Sequence, residues 1–395
     1  MKIFPGRILR KLLYALPFAS LLLSSCSPVQ AQSDLSRPEG VEAYLKNQIN
    51  RGSQDIALAV YSVNPDGSLS PADALAYNKN APMPLASTVK IVVLAAYAQA
   101  VAEGTLDPDE EVSVRDWETY YLPFTDGDRH LVALESLGIA FDELGFAEED
   151  VSVRLDDVAS AMIVQSDNAA TDYLMDRVGD AALARVIEEN DLAQQEVPLS
   201  ILGMYLAWQN AESPQLTQYP EDEFRAVAER HQARYLNDAA WREAQLEWLQ
   251  SLTSFPGSYE EQVETSQAFT SGSAGDYARI MAGVVSETFI SAEVSGVMRR
   301  HLEWPMQIPG NEETFQTFGT KGGSLPGIVT EAWYLVPKEG DFASEPRVAV
   351  LFFNQLSEAA ARGLAESFAQ QTVILQLATD RATVESFADT MQLSE

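Results

Sequence analysis

The sequence predicts an α+β protein in which one antiparallel sheet is assembled from both ends of the chain and an all-helical lobe lies between them. Three observations support this. Strand signals cluster at 56–77 and return at 314–353, helical patterns dominate the stretch between, and an apolar share of 46% is enough for a large core. Length leaves room for two or three domains of roughly 150 residues each. Charge narrows the function, because 26 Lys+Arg stand against 58 Asp+Glu in 395 residues, a net charge of −32. So acidic a chain repels phosphate backbones, and no Lys/Arg cluster outside the first eleven residues offers a basic face, which sets nucleic-acid binding aside. A single cysteine excludes an internal disulfide, and Cys26, His130, His231 and His301 show no metal-ligand spacing. His301-Leu302-Glu303 lacks the distant cysteine pair of a zinc deaminase and reads as a surface or core histidine. No metal or cofactor is expected.

The elements follow in chain order. Lys2, Arg7, Arg10 and Lys11 precede a mostly apolar stretch at 12–23 that is too short to span a bilayer and reads as an export signal. It ends in Leu23-Ser24-Ser25-Cys26, which resembles the lipobox of bacterial lipoproteins, with the only cysteine of the chain at the position that would carry lipid. The alternative is an ordinary signal peptide cut near Ala31, with Cys26 discarded. Ser27, where an aspartate would stand otherwise, resembles the outer-membrane sorting pattern, so the expected location is the cell envelope, on the periplasmic face of the outer membrane in a Gram-negative host. More than one acyl chain suffices for stable anchoring. Residues 1–25 are then the lipoprotein signal, and residues 26–38, rich in Ser, Pro and Gln, form a flexible tether.

The folded domain is expected over 39–380. It opens on an amphipathic helix at 39–48 and a strand at 56–63, closed by the turn signal Asn64-Pro65-Asp66-Gly67, with a returning strand at 73–77. The period then changes to that of a helix at 87–104, ended by glycine. Helical patterns continue to about residue 301. Within them 209–271 looks inserted: Phe224, Tyr235, Trp241 and Trp248 punctuate a charged stretch, the pattern of a helical hairpin anchored to the main body by its aromatics. Strands are expected at 314–320, 331–336 and 347–353, a helix at 357–378, and a C-terminal tail at 381–395.

Three short motifs carry chemistry. Ser87-Thr88-Val89-Lys90 stands at the start of the first long helix, so the lysine lies one turn from the serine on the same face. A lysine whose pKa is lowered by burial can take the serine proton, which makes a nucleophile without histidine. Ser166-Asp167-Asn168 follows a helical stretch at 155–165; its hydroxyl can relay a proton and its amide can hold a substrate amide. Lys321-Gly322-Gly323-Ser324 follows the strand at 314–320, where glycines on an edge strand let a substrate backbone approach and the lysine supplies positive charge.

In order and context these motifs resemble those of the penicillin-recognising serine enzymes, the class A β-lactamases and the related D-alanyl-D-alanine peptidases, marked by S-x-x-K, S-D-N and K-T-G. The resemblance spans nearly all of residues 40–380 and implies the β-lactamase/transpeptidase-like fold. It implies Ser87 as the acylated nucleophile, Lys90 as its base, Ser166 as proton shuttle, Asn168 as contact for the acyl-side amide, and Lys321 as a cation drawing the substrate carboxylate. The oxyanion hole would be formed by the N–H groups of Ser87 and Ser324, beside Gly323, and Tyr120 or Tyr121 would wall the cleft opposite Asn168. The implied function is a secreted, lipid-anchored β-lactamase, with a D-alanyl-D-alanine carboxypeptidase or esterase as the alternative and a non-catalytic muropeptide-binding lipoprotein as a third reading. The partners implied are a β-lactam or peptidoglycan peptide, and the membrane through Cys26.

Two departures stand out. Gly322 replaces the hydroxyl residue that binds the substrate carboxylate in the family. The carboxylate that activates the deacylating water has only a partial counterpart, Glu196 in Glu196-Val197-Pro198-Leu199-Ser200, followed by an apolar helix at 201–208 where the family has a loop. Removal of residues 1–25 leaves 22 Lys+Arg against 58 Asp+Glu, or −36. An anionic substrate therefore approaches against the overall field, and its capture is expected to improve as ionic strength rises toward about 0.15 M. Rates of Ser87 acylation at low and raised salt check this; a marked decrease with salt contradicts it.

Overall fold

The computed structural model describes residues 34–252 and 255–393. Cys26 and the signal and tether around it lie outside the described residues, apart from the tether's last few positions.

Nine strands are present among the described residues: β1 Ile56–Ser62, β2 Leu75–Tyr77, β3 Met83–Pro84, β4 Glu111–Ser113, β5 Ser152–Arg154, β6 Ser271–Gly272, β7 Phe315–Leu325, β8 Ile328–Pro337 and β9 Arg347–Phe353. Five form one antiparallel sheet in the order β2-β1-β9-β8-β7. The chain's two ends meet where β1 pairs with β9, Ile56 opposite Phe353 and Ser62 opposite Arg347. Both strands are buried along their full length. Alternation then sorts the residues by face. Ile56, Leu58 and Val60 pack with Val41, Leu45 and Ile49 of the helix Pro38–Asn50 and with Val373, Ile374 and Leu377 of the helix Ala369–Thr379. Ala57, Ala59 and Tyr61 face the other way, into the larger core of the helical lobe. The centre of that lobe is the helix Lys90–Ala102, apolar on every side and buried from Lys90 to Ala100.

The lobe is not wholly helical as expected, since β3 pairs with β6 and β4 with β5. The strand expected to end at 320 runs on through the lysine–glycine motif to Leu325, and the strand expected to begin at 331 begins at Ile328. Hairpin pairing carries both past their apolar runs, across a tight turn at Gly327, whose φ of +76° favours glycine. The helix expected over 357–378 is two helices, Glu358–Ser367 and Ala369–Thr379, divided at Phe368 by a left-handed φ of +54°. Residues placed in a C-terminal tail form the helix Arg381–Gln392, capped by Asp380, with Val384 and Phe387 buried in the core behind the sheet. Its apolar contacts are too few to announce it in sequence.

Between 209 and 271 the helices Glu221–Asn237 and Ala239–Ser251 form a hairpin. Its aromatics face the body: Phe224 stacks on Trp208 with centroids 6.2 Å apart, and the Tyr235 hydroxyl donates to the Tyr121 carbonyl at 2.8 Å. The hairpin also meets the helix Ile201–Trp208 closely, for a Cβ on Gly203 would stand 2.5 Å from the Ala228 carbonyl oxygen.

Candidate active site

Ser87 sits in a 3-10 turn, Ala86–Val89, entered from β3. The preceding Ala86 has φ +46°, a left-handed conformation that costs energy in a residue with a Cβ and persists only where surroundings hold it. They do so from two sides. Leu85 N donates to the Thr270 carbonyl at 3.0 Å, next to the β3–β6 pair. Thr330 on β8 donates its hydroxyl to the Leu85 carbonyl at 2.7 Å and meets the Thr88 hydroxyl at 2.8 Å. From Met83 to Ala100 every residue is buried except Ser87. The turn thus presents one hydroxyl to solvent from an otherwise closed core.

The edge strand β7 closes on this turn through Gly323. A Cβ there would lie 2.4 Å from Ser87 N and 2.9 Å from Thr88 N, so only glycine lets the strand reach the backbone N–H of the serine. Gly323 therefore serves the protein's own nucleophile turn at least as directly as an incoming substrate backbone.

The third wall is the Ser166-Asp167-Asn168 segment. A π-helical turn, Ala161–Gln165, delivers Ser166 at φ +65°, and Asp167 caps the helix Asn168–Val178 by accepting from Ala170 N at 3.0 Å. The segment is braced from behind by His130, fully buried, with Nδ1 2.8 Å from Asp167 Oδ2. The imidazole stacks on Tyr121 at 4.1 Å and meets Trp117 edge-on at 5.1 Å, and its Nε2 faces Glu118 Oε1 at 3.6 Å. Burial alone would lower its pKa; the carboxylates of Asp167, Glu118 and Asp126 prevail and raise it to about 9. His130, given no role from the sequence, is a charged support for the motif.

Two lysines converge on this wall. Lys90 Nζ donates to the Ser166 carbonyl at 2.6 Å, to Ser166 Oγ at 3.2 Å and to Asn168 Oδ1 at 2.8 Å. Lys321 Nζ donates to Ser166 Oγ at 2.9 Å and to the Gly322 carbonyl at 2.8 Å. Burial pulls Lys90 down to about 7 against the pull of Asp167, Asp126 and Asp172, and burial together with the charge of Lys90 holds Lys321 well below its ordinary value. Both lone pairs of the Ser166 hydroxyl are thereby occupied, leaving its proton free to be donated. A lysine that loses its proton near pH 7, a partly exposed serine one turn before it and a hydroxyl hydrogen-bonded to two lysines can perform acyl transfer.

Tyr120 and Tyr121 line a pocket with Asn168, Ala169, Ile201 and Leu202. Ser324 is exposed on β7, directly after Gly323. Glu196 is not drawn in. It is exposed, its carboxylate accepts from Ser271 N at 2.7 Å, and among the described residues no hydrogen bond or ion pair joins it to Ser87, Lys90 or Ser166. Among the carboxylates whose charge reaches Lys90 is Asp172, one turn beyond Asn168 on the same helix, a spacing from which it could have been foreseen. It accepts from Ser200 Oγ at 3.0 Å, Ile201 N at 2.9 Å and Leu202 N at 2.7 Å, and burial raises its pKa to about 6.

A two-lobed α+β fold with serine, paired lysines and an S-D-N wall at the lobe boundary defines a serine acyl-transfer scaffold of the penicillin-recognising kind. The sequence model of the Beta-lactamase enzyme family matches residues 41–358, and the chain belongs to that family of β-lactamase-like serine hydrolases. Among solved structures it is similar to the β-lactamase from Sphaerobacter thermophilus DSM 20745, with 17% identity, 87% of this chain and 96% of that chain covered and a TM-score of 0.50. It is likewise similar to a β-lactamase from Chitinophaga pinensis DSM 2588, at 14% identity, 84% and 98% coverage and a TM-score of 0.50. A structure of PBP-A aligns at 16% identity, 83% and 96% coverage and a TM-score of 0.46. At these identities the likeness is one of fold. No curated protein matches the sequence.

Two outcomes follow from this geometry. If Lys90 is the base, acylation rises about tenfold per pH unit as the ammonium loses its proton and levels off above about 7. A rapid-quench pH profile checks this, and a limb near pH 4 would reassign the base to a carboxylate. Gly323→Ala, which forces β7 away from Ser87 N, is expected to slow acylation by about a hundredfold or more, the scale of a lost oxyanion donor. Its far-UV spectrum should stay native; acylation at the wild-type rate would refute this role for Gly323.

Proposed function

We propose that the protein is an exported, lipid-anchored serine hydrolase that opens β-lactam amides, or the corresponding peptide or ester bond, through an acyl-enzyme on Ser87. The observation that carries this reading is the convergence of Lys90 and Lys321 on the hydroxyl of Ser166, with Ser87, one turn before Lys90, the only residue of its turn that is not buried. Neutral Lys90 takes the Ser87 proton as Oγ attacks the carbonyl carbon. The oxyanion is held by the N–H groups of Ser87 and Ser324. As the C–N or C–O bond breaks, Ser166 gives its proton to the leaving atom and is resupplied by Lys90. Asn168 uses its carbonyl oxygen on Lys90, so its NH2 group is left for the acyl-side carbonyl of the substrate. The envelope location rests on the signal and lipobox-like residues ending at Cys26.

A second reading, a D-alanyl-D-alanine peptidase or esterase that turns β-lactams over slowly, has its own support. The wall beside Asn168 is lined by Ile201 and Leu202, Asp172 is committed to the backbone of that helix, and Glu196 is committed to Ser271. Neither of these two carboxylates is thereby free to hold a deacylating water.

Intact-protein mass spectrometry with a fluorescent penicillin and an activated neutral ester tests both. Under the leading reading an adduct on Ser87 forms and disappears within seconds; under the second it lasts for hours. If no adduct forms with either reagent and Ser87→Ala changes nothing, the enzyme class itself falls.

A further inference from the structure

The replacement of a hydroxyl residue by Gly322 has a structural cause one strand away. Gly322 lies opposite Glu331 of β8, and a Cβ at 322 would stand 2.8 Å from Glu331 Oε2 and 3.2 Å from the Thr330 carbonyl oxygen. The space in which a serine or threonine would begin is occupied by a carboxyl group.

That group is held in place. Glu331 is 4% exposed, and it accepts from Trp333 Nε1 at 2.9 Å, Gln371 Nε2 at 3.1 Å and Gln370 Nε2 at 3.3 Å. Three N–H donors suit a carboxylate, which only accepts. Gln370 and Gln371 lie in the first turn of the helix Ala369–Thr379, whose positive end favours an anion. The left-handed break at Phe368 starts that helix at this point. Burial raises the Glu331 pKa, and the groups that pull it back down are the Trp333 indole, the amides of Gln371 and Gln370, and Lys321 from β7.

We propose that Glu331 is a specificity-determining residue, and that the site selects acyl donors whose leaving side is uncharged, such as an internal peptide bond, a carboxamide or an ester, over donors ending in a free carboxylate. The inference rests on the Ser87 acyl-enzyme reading and, within it, favours the peptide or ester bond without a terminal carboxylate over β-lactams such as penicillins, which carry one. In the family resemblance, the residue after the lysine supplies a hydroxyl to the substrate carboxylate. Here that hydroxyl is absent and a carboxylate lies just behind the strand, so a substrate anion docking along Lys321–Gly322 meets like charge at close range. The net charge of −32 acts in the same direction over longer distances. Lys321 keeps a use with a neutral substrate, because it donates to Ser166 Oγ.

The test uses two depsipeptide donors that differ only in ending as carboxylate or carboxamide, with Ser87 acylation followed by rapid-quench mass spectrometry at fixed ionic strength. The wild-type protein is expected to react with the carboxamide at least about tenfold faster, mainly through KM. In Glu331→Gln, which keeps the shape of the side chain, the ratio is expected to fall to within about threefold. A wild-type preference for the carboxylate overturns the proposal whether or not the variant folds, and so does a ratio that a folded Glu331→Gln leaves unaltered. Failure of both donors and of an activated neutral ester to label Ser87 removes the acyl-enzyme reading itself, a result distinct from labelling with the wrong preference.

Discussion

The burial of the Lys90 ammonium is the constraint on which the rest of the site depends. The side chain is 0% exposed at the seam between sheet and helical lobe, and moving a charge there costs several kcal/mol unless it is met by partners. The fold meets it with a carbonyl, a hydroxyl and an amide oxygen, all neutral. A carboxylate in direct contact would also satisfy the three protons, but it would hold the lysine charged. Acceptors without net charge fill the hydrogen-bonding capacity and leave the group able to lose a proton near neutrality.

The acidic residues around the site are accordingly set one layer back, each with donors of its own. Asp167 is joined to His130 and to Ala170 N, Asp172 to the start of the helix Ile201–Trp208, and Asp126 to the backbone N–H groups of Arg129 and His130. Their fields reach Lys90 and offset part of its desolvation without touching it. The inserted hairpin belongs to this scheme at one remove. Pressed against the helix Ile201–Trp208 at Gly203, it holds the element whose first N–H groups occupy Asp172 and whose Ile201 and Leu202 line the pocket beside Asn168.

Much of this was legible in the sequence because the motif residues are local. Ser87 and Lys90 are one helical turn apart, Ser166 and Asn168 flank a capping aspartate, and Lys321 ends an apolar strand pattern. What was hidden is set by partners distant in the chain. Glu196 matched a short pattern, yet its carboxylate is taken by Ser271, 75 residues away. The role of Gly323 depends on Ser87 N and that of Gly322 on Glu331, relations that no spacing reveals. The extension of β7 to Leu325 follows from its pairing with β8, and the final helix is defined by Val384 and Phe387 meeting a core built by the first helix and the sheet. Local propensity described the parts; tertiary contacts decided their ends and their chemistry.

The pairing of β1 with β9 also bears on how the chain reaches its native state. Ile56 and Phe353 lie nearly the full domain apart in sequence, so β1 has only the short β2 as a partner until the C-terminal segment arrives. Closing so long a loop is entropically costly and makes for slow folding. Under the export proposed above, that delay has a use: a chain whose central sheet cannot close before its last strands are made stays longer in the unfolded form that a translocation channel can thread.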